Sequence, residues 1–96
     1  MKSLTECRAE LDRIDREIVR LFEERMQVSR DVAAFKICHG LPVLDRSREE
    51  AVLTSRAEML RDPYWEESIR RLFEAVMAIS RAEQEKMLHK AVKEEA

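Results

Sequence analysis

Apolar residues recur along the first third of the chain at Leu4, Cys7, Leu11, Ile14, Ile18 and Leu21, then resume at Val28, Val32 and Phe35. The steps alternate three and four, the a/d seam of an amphipathic, coiled-coil-like helix. Ser3 with Glu6 three places on forms a capping box, so the spacing predicts a first helix over about residues 4–37. "CHGLPV", residues 38–43, holds the only glycine and one of the two prolines, and reads as a loop. A second helix is predicted over about residues 46–61, capped either by Ser47 with Glu50 or by Asp45. "RDPYW" then supplies Asp62 as a cap and Pro63 as a first-turn residue for a third helix over about residues 63–92. That helix carries Trp65, Ile69, Leu72, Phe73, Val76, Ile79, Met87 and Leu88, with Trp65 and Phe73 expected in the core. One position breaks the first seam: a full charge, Arg25, stands where Leu or Ile belongs.

The expected fold is therefore all-α, a single domain over residues 1–96 with one long, one short and one long helix. Its size raises a difficulty. A first helix of about 34 residues at 1.5 Å each is a rod of roughly 51 Å. A compact chain of this length has a radius of gyration near ~12–13 Å. The rod projects beyond any globule its own chain can build, and its apolar seam requires a partner. A second copy is the simplest, so the expectation is a homodimer whose long helices pair antiparallel.

Composition narrows the function. Charged residues make up 40% of the chain and aromatics 5%, with 18 basic side chains against 20 acidic ones. A net charge of −2 and no basic patch argue against a nucleic-acid partner. No run of 18 apolar residues and no signal-peptide pattern argue against a membrane. Cys7 and Cys38, without a C-x-x-C, fit a reducing compartment, and a cytoplasmic protein is expected. His39 and His89 stand too far apart for a local metal motif, so no metal is assigned.

The polar residues on apolar faces are the candidates for chemistry. Counting residues 4, 11, 18, 25 and 32 as a positions, the e positions are Arg8, Asp15, Phe22, Ser29 and Lys36. Arg25 and Lys36 lie about 16 Å apart along the axis, within joint reach of one small molecule. Arg8 is about 42 Å from Lys36 in its own helix. Antiparallel pairing centred near residue 20 brings Arg8 of a second copy level with residue 32, giving two pockets of three cations each. On helix three, Phe73, Met77, Ser80, Gln84 and Met87 form one stripe, interrupted by two polar groups. On helix two, Arg48 and Glu49 flank the inward position Val52. Buried polar groups need partners, either one another or a polar ligand. Each also has a plainer reading: a seam Arg sets dimer register or snorkels, and a core Ser bonds back to the preceding turn.

Larger blocks carry a resemblance. "AELDRIDREIVRLFEERMQVSRDVAAFK", "GLPVLDRSREE" and "RLFEAVMAISRAEQ" resemble, in order and spacing, the all-helical chorismate mutase family over nearly the whole chain. Its recurring elements are an early Arg, an E-R pair with a Lys eleven residues on, a P-V-x-D-x-x-R-E loop and an S-x-x-x-Q helix. Here they read Arg8, Glu24–Arg25 with Lys36, Pro42–Glu49, and Ser80–Gln84.

The resemblance implies an intertwined antiparallel homodimer forming a six-helix bundle, with sites shared between subunits. It implies an isomerase that converts chorismate to prephenate by an intramolecular [3,3] rearrangement without any cofactor. Arg25, and Arg8 from the other subunit, would bind the substrate's carboxylates, with Ser80 adding a hydrogen bond. Lys36 and Gln84 would donate to the ether oxygen. Glu49 would hold the ring hydroxyl, assisted by the backbone at Asp45, and Arg48 would support that junction. Two other readings stay open: an isochorismate–pyruvate lyase of the same fold, and a non-enzymatic helical dimerisation module.

Overall fold

The computed structural model of the chain describes residues 1–95. It holds three α-helices, α1 (Leu4–Cys38), α2 (Arg46–Glu58) and α3 (Glu66–Glu95), and no strand among the described residues. α1 begins where Ser3 Oγ accepts from the Glu6 backbone N–H at 3.1 Å, one of the donors a helix start leaves unpaired.

The end of α1 is set by the chain's single glycine. Gly40 takes φ +64°, and the Gly40 and Leu41 N–H groups donate back to the carbonyls of Ile37 and Lys36 at 3.3 and 2.8 Å. This pairing closes the helix with a left-handed residue, a conformation that costs a side-chain-bearing residue energy and glycine almost none. The reversal returns the chain alongside the last turn of α1, and Val43 of the loop is buried.

Of the two caps open for α2, Asp45 is the one used: its Oδ1 accepts from the Arg48 N–H at 3.0 Å. α2 ends at Glu58 rather than near residue 61, because Met59 and Leu60 tighten into i→i+3 bonds. The cause is Pro63, which pushes Asp62 into an extended conformation (φ −113°, ψ 109°) and so forbids continuation. Pro63–Trp65 forms a 3₁₀ turn capped by Asp62 before α3 proper begins. Trp65, expected in the core, is half-exposed and packs edge-on against Tyr64.

α3 packs against both α1 and α2. The buried apolar residues are few: Ala33, Val43, Val52 and Met77. Three polar residues, Ser29, Ser80 and Gln84, are buried with them. A core in which polar groups nearly match apolar ones is better described as the wall of a cavity.

The outline explains why the core is so small. The chain measures 62 × 26 × 14 Å with a radius of gyration of 17.2 Å, against ~12–13 Å for a compact domain of its length. Its thinnest dimension is little more than one helix diameter. The helices form a slab, and along α1 the residues Leu11 (55%), Ile18 (58%) and Leu21 (52%) stay open to solvent. No helix is long and apolar enough to cross a membrane among the described residues.

Candidate active site

The second half of α1 turns Arg25, Ser29, Val32 and Lys36 to one side, a stripe of steps 4, 3 and 4. α3 faces it with Met77, Ser80, Arg81 and Gln84, and α2 closes the third side with Arg48, Glu49, Val52 and Arg56. Together with Val43 and Asp45 of the loop they line a cavity of about 310 Å³. That is near the lower end for small-molecule sites, which run from about 300 to 1,000 Å³.

Of the residues singled out in the sequence, Arg25, Lys36, Asp45, Arg48, Glu49, Ser80 and Gln84 all line this one cavity. Arg8 does not; it is exposed on the far part of α1. Asp45 and Arg48 stand exposed at the rim, whereas Arg25, Lys36 and Glu49 are half-buried and Ser80 and Gln84 buried.

Each buried polar group is tied to a neighbouring element. Arg25 Nη1 donates to Ser80 Oγ at 3.2 Å, joining α1 to α3. Gln84 Nε2 donates to the carbonyl oxygen of Ser29 at 3.1 Å and to Ser29 Oγ at 2.9 Å. Lys36 Nζ donates to the Val43 carbonyl at 2.7 Å, which fixes the loop over the end of the cavity. An ammonium has three N–H donors, so two remain for a ligand. Arg81 and Glu49 form an ion pair between α3 and α2. Arg56 donates to Ser55 Oγ at 2.8 Å and lies 5.9 Å above the Phe73 ring, a cation–π contact. Among the described residues no buried side-chain polar atom lacks a partner.

The electrostatics favour an anion. Five cations line the cavity against two carboxylates, and one of those carboxylates, Glu49, is already neutralised by Arg81. Burial pushes the Arg25 guanidinium below its ordinary pKa, and Arg56 and Arg48 push it further the same way. Arg25 has no carboxylate within ion-pair distance among the described residues; its partner is a neutral hydroxyl. A half-buried cation held between two others is disfavoured until a negative group joins it. The same wall carries fixed N–H donors but no arrangement of nucleophile and base, and no metal-binding cluster occurs among the described residues. Such a site can clamp and polarise a small polyanion.

Three lining residues escaped the sequence reading. Ser29 was visible as an e position but has no chemistry of its own; its importance lies in holding Gln84. Arg81 falls between Met77 and Gln84 on the α3 stripe (steps 4 and 3), and Arg56 lies one turn after Val52, so helical spacing alone could have found both.

Comparison with known proteins agrees with this geometry. The family model described as "Chorismate mutase type II" matches residues 7–85. A protein named chorismate mutase from Methanocaldococcus jannaschii is 28% identical over 89 residues, covering 92% of this chain and 90% of that protein. The T-protein of Haemophilus influenzae is 39% identical over 56 residues, 58% of this chain, a match spanning only 15% of the T-protein's length. No solved structure matches the chain significantly.

Proposed function

Since the chain belongs to the chorismate mutase type II family, we propose that it converts chorismate to prephenate in a cofactor-free [3,3] rearrangement. The observation that carries this reading is Arg25: a half-buried guanidinium with no carboxylate partner among the described residues, beside Lys36, Arg48 and Arg56 in one cavity. Chorismate is a dianion, and a guanidinium fork binds a carboxylate through two parallel hydrogen bonds. Arg25 takes one carboxylate, with Ser80 beside it.

The working unit is a homodimer, an intertwined six-helix bundle in which Arg8 of the partner subunit completes the cation set. Support comes from the slab shape and the exposed apolar seam of α1.

The reaction needs no proton transfer. As the C–O bond breaks, negative charge gathers on the ether oxygen, and Lys36 and Gln84 donate to it. Donors preorganised in this way are each worth roughly 3 kcal/mol of barrier. Lys36 has N–H groups to spare beyond its bond to Val43. Gln84 has two N–H donors and uses both on Ser29, so it exchanges the hydroxyl bond for the ether oxygen and keeps the carbonyl bond. Glu49 accepts from the ring hydroxyl, with the Asp45 backbone and Arg48 at the same loop-to-helix junction. Holding a flexible substrate in its compact, reactive conformer supplies the remainder.

Ultraviolet loss of chorismate with prephenate as product tests the reaction; salicylate and pyruvate formed from isochorismate would assign the lyase instead. Mixing tests the shared site. Arg8→Ala and Lys36→Ala chains are each expected to be inactive alone and to regain activity once subunits exchange, because a heterodimer has one intact pocket. No recovery after demonstrated exchange would refute sharing.

A further inference from the structure

Glu49–Arg81 is the only ion pair joining two helices among the described residues; the others run along one helix or sit at its start. It is also the one whose carboxylate side chain is mostly shielded from solvent, at 23% exposure. Arg81 engages Glu49 Oε1, and among the described residues nothing donates to Oε2. Resting on the function proposed above, we propose that Arg81 is a positioning residue: it holds Glu49 by one oxygen and leaves the other to accept from the ring hydroxyl.

The electrostatic problem that Arg81 solves is specific. Recognition of a hydroxyl calls for an acceptor, but a bare carboxylate beside a dianionic substrate repels it. A guanidinium bonded to that carboxylate cancels its charge at short range while leaving acceptor lone pairs in place. Arg81 does this from α3, one residue after Ser80, so the helix that presents Ser80 and Gln84 also sets the Glu49 carboxylate on α2. Loss of Arg81 leaves Glu49 free to turn toward Arg48 or Arg56, both lining the same cavity. Binding then suffers more than chemistry, because the groups at the ether oxygen are untouched.

A double-mutant cycle on the full chain, read as KM and kcat for chorismate, provides the test. Arg81→Met keeps the apolar stem and helix propensity; it is expected to raise KM about tenfold with kcat changed less than about threefold. Arg81→Lys is expected to recover most of the loss. In a Glu49→Gln background, Arg81→Met is expected to shift KM by less than about twofold, since the carboxylate it acts through is gone. Equal KM penalties in both backgrounds would overturn the proposal, assigning Arg81 a direct action on the substrate. If Arg81→Met fails to fold by circular dichroism, the uncharged Arg81→Gln in the two backgrounds supplies the same comparison. A native chain inert toward chorismate overturns the function and this inference together, whereas an active native chain with additive penalties overturns this inference alone.

Discussion

The two halves of α1 share one sequence pattern and differ in what their polar residues meet. From Leu4 to Phe22 the apolar seam lies open, no residue is buried, and the side-chain bonds are local: Ser3 with Glu6, Lys2 with Glu10, Arg20 with Glu17. From Arg25 onward Ser29 and Ala33 are buried, and Arg25, Ser29 and Lys36 are bonded to α3 or the loop. The polar stripe of the second half is satisfied by its own chain, although its seam residues Val28, Val32 and Phe35 stay as exposed as those of the first half. The first half leaves both its seam and its long polar side chains to solvent or to local pairs. The 3–4 repeat predicts that a helix has a sticky face, not whose surface will cover it.

The sharpest way to break that contrast is to charge the unsatisfied half. Ile14→Lys with Ile18→Lys touches nothing that lines the cavity. It places two cations in each copy where an apolar contact worth about 1 kcal/mol or more per side chain is expected. Sedimentation is expected to show a dimer for the native chain and a monomer for the variant at the same concentration, with turnover lost in the variant. Full activity from a monomeric variant would mean that one chain's cations suffice.

Charge removal in the satisfied half should act oppositely on stability and activity. Arg25→Leu restores the seam residue and relieves a cation disfavoured by burial and by Arg56 and Arg48. Thermal melting is expected to hold or rise, while kcat/KM falls at least about a hundredfold. The pH behaviour follows from the sign of the shift. With its pKa lowered in the folded state, Arg25 binds fewer protons folded than unfolded only within a strongly alkaline window, so its contribution to stability rises with pH there and is constant near neutrality. Gln84 carries no charge, so turnover is expected to stay flat from pH 6 to 8. A steep loss across that range would point to a titrating donor that the mechanism lacks.

Much of this architecture is legible in the sequence. Three helices, the loop at Gly40 and the cap at Ser3 follow from local chemistry acting over three or four residues. Arg25, Ser80 and Gln84 are legible as polar interruptions of apolar stripes, whereas grouping them with Lys36 and Glu49 takes the family resemblance. Arg81 and Arg56 share the inward stripes of their helices by spacing, but in a chain with 40% charged residues an Arg on a stripe does not stand out until its neighbours across the helix gap are known. The choice of Asp45 over Ser47 as a cap was open for the same reason: both side chains could reach an N–H, and the path of the loop decides. Trp65 was misplaced because hydrophobicity predicts burial only where the fold has an interior, and a slab 14 Å thick has little.

The smallest expected effect bears on how the satisfied half of α1 works. Ser29 offers Gln84 two acceptors, a backbone carbonyl that no substitution removes and a hydroxyl that Ser29→Ala deletes. The carbonyl fixes which end of the amide is the nitrogen; the hydroxyl holds the N–H that the proposed mechanism assigns to the ether oxygen. Deleting it is expected to cost about 1 kcal/mol of stability, a drop of roughly 4–8 °C in Tm for a domain of this size. The amide no longer has to leave a partner before serving the transition state, so kcat is expected to rise, by no more than about threefold. A tenfold fall in kcat would show instead that the hydroxyl aims the amide. Gln84 would then be held in its working position before substrate arrives, with Ser29 as part of the catalytic apparatus and not a resting place for it.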